Sequence, residues 1–424
     1  MKQADVLDSI AHGPVSRLQI LVLSICWFIN LLDGFDILII SFTAADIVQE
    51  WSLAPDQLGI VFSGGLFGMM LGAILIAPFA DQFGRKTILI ACLGIISGSM
   101  IATAFVDSVE MLLVFRVTTG LGVGGVLPNI NTLVAEFAPL KKRNLAISAL
   151  QIAYPVGAIV AGFLFAFLTP VWGWRMPYLM GGLLTLILIP IVWRVLPESV
   201  HYLLESQKPG ALEALNKVLV SMGREPLESM PPREEKVGIT ARPGIIQLLS
   251  EQYRGRTFLL LTAFFMTMLV FYFILSWTPV IMEDAGLDPS FGVLGGTLLN
   301  VGGIVGILIM GYLSGEFGLR RVLVSIFVLE AFFMGLFAIG AGANPYYVMG
   351  VLMFLGGCAH GGIVGLYATA AWIFPTRLRA TGLGWSLGLG RTGAIIGPYV
   401  AGLLMAFGLS RETYFLVLGL PLIF

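Results

Sequence analysis

The chain has 424 residues, 57% hydrophobic and 12% charged, with a formal net charge of −1. A soluble domain carries about 25% charged residues, so this composition, with 52 glycines and a mean hydropathy of +0.92, excludes an ordinary soluble protein and fits a membrane one. The net charge gives no reason to expect a nucleic-acid partner, and Cys26, Cys92 and Cys358 lie in apolar runs without disulfide or metal-ligand spacing.

In chain order, the polar start from Met1 to Arg17 mixes Asp5 and Asp8 with Lys2 and Arg17, unlike a signal peptide. The first apolar run, 18–47, is too long for a signal sequence and reads as a retained first helix. A membrane helix needs about 20 mainly apolar residues. Further spans are read at 57–77, 87–106, 109–135, 144–168, 176–196, 257–282, 290–314, 322–341, 345–372, 381–407 and 411–424. The last stops at Phe424 with no polar tail, as a chain that ends early would. Residues 197–256 interrupt the series with Lys208, Lys217, Arg224, Arg233, Lys236, Arg242, Arg254, Arg256 and the breaker Pro231-Pro232. The expected organisation is a six-helix bundle (1–196), a polar linker with room for a short surface helix (197–256), and a second six-helix bundle (257–424).

Most of the 24 Lys and Arg fall in the N-terminus, the linker and the loops near residues 85, 142, 320 and 378. By the positive-inside rule these are cytoplasmic, and an even number of spans puts both termini there. The halves also echo each other at a nearly constant offset. Phe83-Gly84 with Lys86 returns as Phe317-Gly318 with Arg320, and Pro139 with Arg143 as Pro375 with Arg379. On the other side, Leu53, Pro55 and Gly59 return as Leu287, Pro289 and Gly292. Parallel six-span repeats are one architecture used for alternating access.

The run Ala80-Asp81-Gln82-Phe83-Gly84-Arg85-Lys86 resembles the loop between helices 2 and 3 of the major facilitator superfamily. Arg116-x-x-x-Gly120-x-Gly122-x-Gly124-Gly125 resembles that superfamily's fourth-helix motif. The resemblance covers essentially the whole chain and implies an all-α fold of twelve transmembrane helices in two pseudo-symmetric halves, working as a monomer. Ala77-Pro78 and Gln82 depart from the family pattern, so the loop is expected to pack or gate differently.

Ionisable groups at mid-bilayer are costly and read first as functional. Asp33 and Asp36, near the middle of the first span, share a helix face by their three-residue spacing. Two carboxylates that close repel, and burial disfavours their charged form. They read as a proton-coupling pair, or as a structural pair neutralised by Arg116; one arginine cannot fully neutralise two aspartates. At 1.5 Å per residue, Arg116 and Asp36 stand about 10 and 16 Å from the ends of their spans, depths that permit an ion pair. The glycines after Arg116 suit a close helix seam. Arg391 has no acid in its own span, so a guanidinium suited to paired bonds with a carboxylate points to an anionic substrate. The alternatives are backbone carbonyls or an acid elsewhere, such as Glu330.

His360, among glycines in the tenth span, can bond the substrate, relay a proton, or be structural. Asn129, Gln151, Tyr154, Tyr272, Trp277, Asn300 and Trp385 are further candidates to line a cavity, or to pack in helix seams. Asp81, Arg85, Glu136 and Arg143 form a candidate cytoplasmic gate, with Glu316, Arg320, Arg377 and Arg379 as its counterpart in the second half. A static surface network is the plainer reading of both.

Asp33-Gly34-Phe35-Asp36 resembles the aromatic acid:proton symporters of the superfamily, supported by Gly125-x-x-Pro128-Asn129 through Glu136-x-x-Pro139 and by Gly390-Arg391-x-Gly393 through Gly397-Pro398. Pro197-Glu198-Ser199 is shared with sugar porters and discriminates poorly. Membership implies inward symport of a small aromatic carboxylate, of the 4-hydroxybenzoate, benzoate or protocatechuate kind, across a bacterial inner membrane. The proton is the coupling ion, no other cofactor or metal is expected, and Asp33, Asp36, Arg116 and Arg391 are the residues transport needs. A carrier of another organic acid or a sugar, or a non-transporting receptor, are the alternatives. An enzyme is not expected: the chain has no paired metal-ligand histidine motif, nucleophile elbow or phosphate loop.

Overall fold

A computed structural model describes residues 3–232, 247–340, 344–374 and 376–423, with the side chains of Arg377 and Arg379 outside that description. Helix α1 (Gln3–His12) is followed by α2 (Arg17–Trp51), α3 (Pro55–Leu75), the short α4 (Ala80–Phe83), α5 (Arg85–Thr103), α6 (Val109–Phe137), α7 (Arg143–Trp172) and α8 (Arg175–Val195). Two linker helices, α9 (Val200–Ser206) and α10 (Ala211–Ser221), precede α11 (Arg254–Asp284), α12 (Pro289–Phe317), α13 (Leu319–Gly340), α14 (Pro345–Ile373), α15 (Thr376–Ala406) and α16 (Arg411–Gly419).

Among the described residues, eleven helices are long and apolar enough to cross a membrane, α3 being counted through α4 to Phe83. The expected twelfth span is represented by α16, nine residues, and the turn Leu420–Ile423. Large apolar side chains such as Phe163, Phe167, Trp193, Phe258, Leu259 and Phe354 are exposed on the outside of the bundle, as lipid-facing surface requires.

Local chemistry sets the helix ends. Ser16 caps α2, its hydroxyl accepting from the Gln19 N–H at 3.2 Å while the Gln19 side-chain Oε1 accepts from the Ser16 N–H at 2.8 Å. The Gln19 amide also donates to the Phe137 carbonyl at 2.7 Å, tying the start of α2 to the end of α6. Pro55, Pro289 and Pro345 each open a helix at its first position, where the missing N–H has no intrahelical partner to lose. The sequence echoes are thereby geometric: Pro55 matches Pro289, and Gly84 and Gly318 both turn the chain at positive φ, 98° and 87°.

Packing repeats in the same way. α3 lies along α6, and α12 along α14; α2 lies along α7, and α11 along α15. Each seam runs on glycine. A Cβ added at Gly68 or Gly72 would strike the Val117 or Leu121 carbonyl, and one at Gly120 or Gly124 the Gly65 or Met69 carbonyl. Gly302, Gly306 and Gly356 do the same for α12 against α14, and Gly393 and Gly397 for α15 against α11. Without a hydrophobic drive between helices in lipid, such close approach supplies the attraction.

The contacts identified between the halves gather away from the basic loops. Ser63 Oγ donates to the Ile395 carbonyl at 2.6 Å, and Phe62 meets Trp277 edge to face at 5.2 Å. Gly59 approaches Pro398 and Tyr399, Gly402 approaches Pro55, and Gly162 and Gly296 approach Thr297 and Phe42. The protein is therefore sealed at the face opposite its basic loops.

Candidate functional site

Asp33 and Asp36 lie on one stretch of α2 and are both buried, at 5% and 2% exposure, yet their surroundings differ. Arg116 of α6 holds Asp36: Nη1 stands 2.8 Å from Oδ1, and Nη2 donates to the Asp36 carbonyl at 3.4 Å. Gly65 makes room for that guanidinium, since a Cβ there would stand 3.1 Å from Nη2. Asp33, one turn away, is not part of that ion pair; its Oδ1 is buried with no hydrogen-bond partner among the described residues. The single arginine has taken one aspartate and left the other.

Asp33 faces a cavity of about 140 Å³ between the halves. For scale, a buried apolar cavity of roughly 150 Å³ admits benzene. From the first half come Asn30, Asp33 and Ile37 of α2, Met69 of α3, Leu127 of α6, and Gln151, Tyr154 and Pro155 of α7. The second half supplies Met268, Phe271 and Tyr272 of α11, Ile307 of α12, His360, Ile363, Val364 and Tyr367 of α14, and Arg391 of α15. On every helix that reaches both, the cavity residues sit a turn or more nearer the basic loops than the residues of the seal.

Arg391 lines the same cavity as Asp33. Among the described residues it makes no hydrogen bond and no ion pair. The suggestion that Glu330 neutralises it does not hold. Glu330 is fully buried against Gly362, with neither carboxylate oxygen hydrogen-bonded among the described residues. A carboxylate and a guanidinium thus face one cavity from opposite halves, with aromatic rings around them.

Other expected residues divide by whether their polar atoms are already used. Gln151, Tyr154, Tyr272 and His360 line the cavity, with the Gln151 amide reaching Asn131 at 3.3 Å. Arg116 does not; it is held by Asp36 beside a smaller neighbouring pocket that Tyr272 and Ser276 share. Asn129 and Asn300 donate within their own helices, to Gly125 at 2.7 Å and Gly296 at 2.9 Å, and stand outside the cavity. Trp277 packs in the seal, its indole N–H on the Pro398 carbonyl at 3.0 Å. Trp385 is 45% exposed and does not line the cavity. Asn30 and Tyr367 were missed, although Asn30 lies one turn before Asp33 and Tyr367 two turns after His360 on the same faces. Phe271 carries no comparable signal.

At the basic face, Arg85 Nη1 meets Glu136 Oε1 at 2.8 Å, and Ser199 Oγ donates to Glu136 at 2.6 Å. Asp81 is peripheral, largely exposed and 3.9 Å from Arg85. Arg143 lines the same charged pocket, which α1 covers with buried Val6 and Ile10. The motif Pro197-Glu198-Ser199 finds its use here: Glu198 Oε1 accepts from the N–H groups of Arg85, Lys86 and Ser199 at 2.8, 3.1 and 2.9 Å. It caps α5, whose preceding Gly84 has no side chain to do so. In the second half, Glu316 and Arg320 are exposed and form no ion pair among the described residues; the side chains of Arg377 and Arg379 are not described.

The model of the Major Facilitator Superfamily matches residues 26–308. A gallate transporter of Pseudomonas putida is 36% identical over 98% of this chain and 92% of its own. The 4-hydroxybenzoate transporter PcaK of Pseudomonas aeruginosa is 31% identical over 99% of this chain and 94% of its own. Among solved structures, the inward open conformation of the xylose transporter XylE from E. coli superposes with a TM-score of 0.73 at 17% identity, covering 96% of this chain and 95% of that one.

Proposed function

The chain belongs to the Major Facilitator Superfamily, and from that premise we propose that it imports a small aromatic carboxylate across a bacterial inner membrane together with protons. The observation that carries this reading is Arg391, unpaired among the described residues, lining with Asp33 an aromatic-walled cavity at the junction of the halves. A guanidinium binds a carboxylate by paired hydrogen bonds, and Tyr154, Phe271, Tyr272 and Tyr367 offer faces and edges to a ring. The names of the relatives, gallate and 4-hydroxybenzoate transporters, support the substrate class.

In this reading Asp33 carries the coupled proton, and Asp36 with Arg116 forms the fixed ion pair beside it. An anion entering alone adds negative charge next to Asp33; a proton on that carboxylate relieves the repulsion, so the two arrive together. With the basic loops cytoplasmic, the seal lies on the outer side and the arrangement is inward-facing. The two six-helix bundles, 1–196 and 257–424, rock about the cavity, with Arg85, Glu136 and Glu198 bracing the inner end of the first. The protein works as a carrier without covalent chemistry.

The test is uptake of radiolabelled 4-hydroxybenzoate and gallate into proteoliposomes with and without an inward proton gradient. Gradient-driven accumulation by wild type, reduced to equilibration in Asp33→Asn, is expected. Accumulation that survives Asp33→Asn removes the coupling role from Asp33. No uptake of any aromatic acid by correctly inserted protein rejects the substrate class.

A further inference from the structure

We propose that His360 reads the ring substituent of the cargo, its Nε2 accepting a hydrogen bond, so that the carrier selects aromatic acids bearing a hydroxyl or amino donor over those of equal size that lack one. The inference rests on the aromatic-carboxylate reading above.

The tautomer follows from the partner. His360 Nδ1 lies 3.0 Å from the Gly356 carbonyl oxygen. A carbonyl only accepts, so Nδ1 carries the hydrogen, and in the neutral ring Nε2 is left as an acceptor. The ring is held on two further sides. Phe271 meets it edge to face at 4.8 Å and 82°, and Gly303 of α12 leaves the slot it occupies. A Cβ at Gly303 would stand 2.5 Å from Nδ1 and 2.7 Å from Cε1 and Cγ, which puts Nε2 on the edge away from α12. Nε2 is buried and has no hydrogen-bond partner among the described residues, and His360 lines the same cavity as Arg391.

A buried acceptor with no donor is costly to leave unmet. The tyrosine hydroxyls of Tyr154, Tyr272 and Tyr367 around it each donate or accept, so they do not tell a donor from an acceptor. Asp33 changes its preference with its proton. His360 alone among these residues presents a fixed demand. With the carboxylate on Arg391, a ring donor that reaches Nε2 satisfies it, and a fluorine or methyl group in the same place does not. Sites built to bond a substrate hydroxyl reject the analogue that lacks it far more strongly than apolar pockets reject a change of size.

The experiment is isothermal titration calorimetry on the purified full chain in detergent. The ligands are 3- and 4-hydroxybenzoate against 3- and 4-fluorobenzoate, and 3- and 4-aminobenzoate against 3- and 4-methylbenzoate. For at least one ring position, the donor is expected to bind about tenfold tighter than its size-matched partner. His360→Leu, which has no acceptor, is expected to bring that ratio near one, and His360→Gln, which offers both a donor and an acceptor, to keep part of it. Melting temperatures check that each variant is folded, and the wild-type series decides alone if neither is. Equal binding within every wild-type pair, or a ratio that survives His360→Leu, overturns the assignment and leaves the aromatic-carboxylate reading standing. Failure of all eight acids to bind overturns both.

Discussion

Asp33 and Asp36 differ by one turn of α2, and that turn separates their chemistry. Asp36 has a guanidinium 2.8 Å away, so replacing it leaves Arg116 buried without a counter-ion. Asp36→Asn is therefore expected to destabilise the protein by about 3–5 kcal/mol, read as a lowered melting temperature in detergent. Asp33→Asn removes a carboxylate that makes no ion pair among the described residues and is expected to melt near wild type. If Asp33→Asn were the more damaging of the two, the division of roles would fail. The sequence marks both aspartates, Arg116 and Arg391 through the cost of charge in lipid. It does not say which aspartate the arginine takes, because three-residue spacing puts both within its reach. Trp277 was misleading for a related reason: an indole serves a seal and a cavity wall equally well, and only its bond to Pro398 distinguishes them.

At the scale of helices, the glycines divide by what lies opposite them. Gly120→Leu and Gly68→Leu would drive a side chain into the facing backbone and are expected to cost at least about 1–3 kcal/mol by overpacking. Gly94 has nothing within 4 Å of its missing Cβ, so Gly94→Leu is expected to be tolerated. Melting temperatures of the three variants check the contrast; equal losses at all three would mean that close approach does not set the cost, since leucine is the better helix former at every one of them. The spans and the glycine seam after Arg116 were legible because glycine and apolar length act locally. Arg85 and Glu136 of the inner brace were legible too, but the part of Glu198 was not. Glu198 lies more than a hundred residues from the amides it caps, and no local pattern joins them.

For the whole molecule, the repeat is visible in sequence and the conformation is not, since one sequence must serve every state of the cycle. The seal is built from backbone approach at Gly59 and Gly402, from side chains packed onto Gly162 and Gly296, and from the hydrogen bond of Ser63 to Ile395. A Cβ at Gly59 would stand 3.0 Å from the Pro398 oxygen and 3.2 Å from the Tyr399 Cα, and a longer side chain has nowhere to go while the seal is shut. Gly59→Leu is expected to hold the far end open. Uptake falls, and a cysteine placed at Ile37 in the cavity becomes reactive to a membrane-impermeant thiol reagent added outside. Unchanged labelling would mean the seal absorbs the side chain.

Trp277 belongs to that seal, 1% exposed, edge-on to Phe62 of the other half at 5.2 Å. Indole emission shifts to longer wavelength when water reaches the ring. Each turnover therefore moves one fluorophore between a dry and a wet setting, and the difference spectrum between wild type and Trp277→Phe is an optical record of the far door, written by the protein without a label.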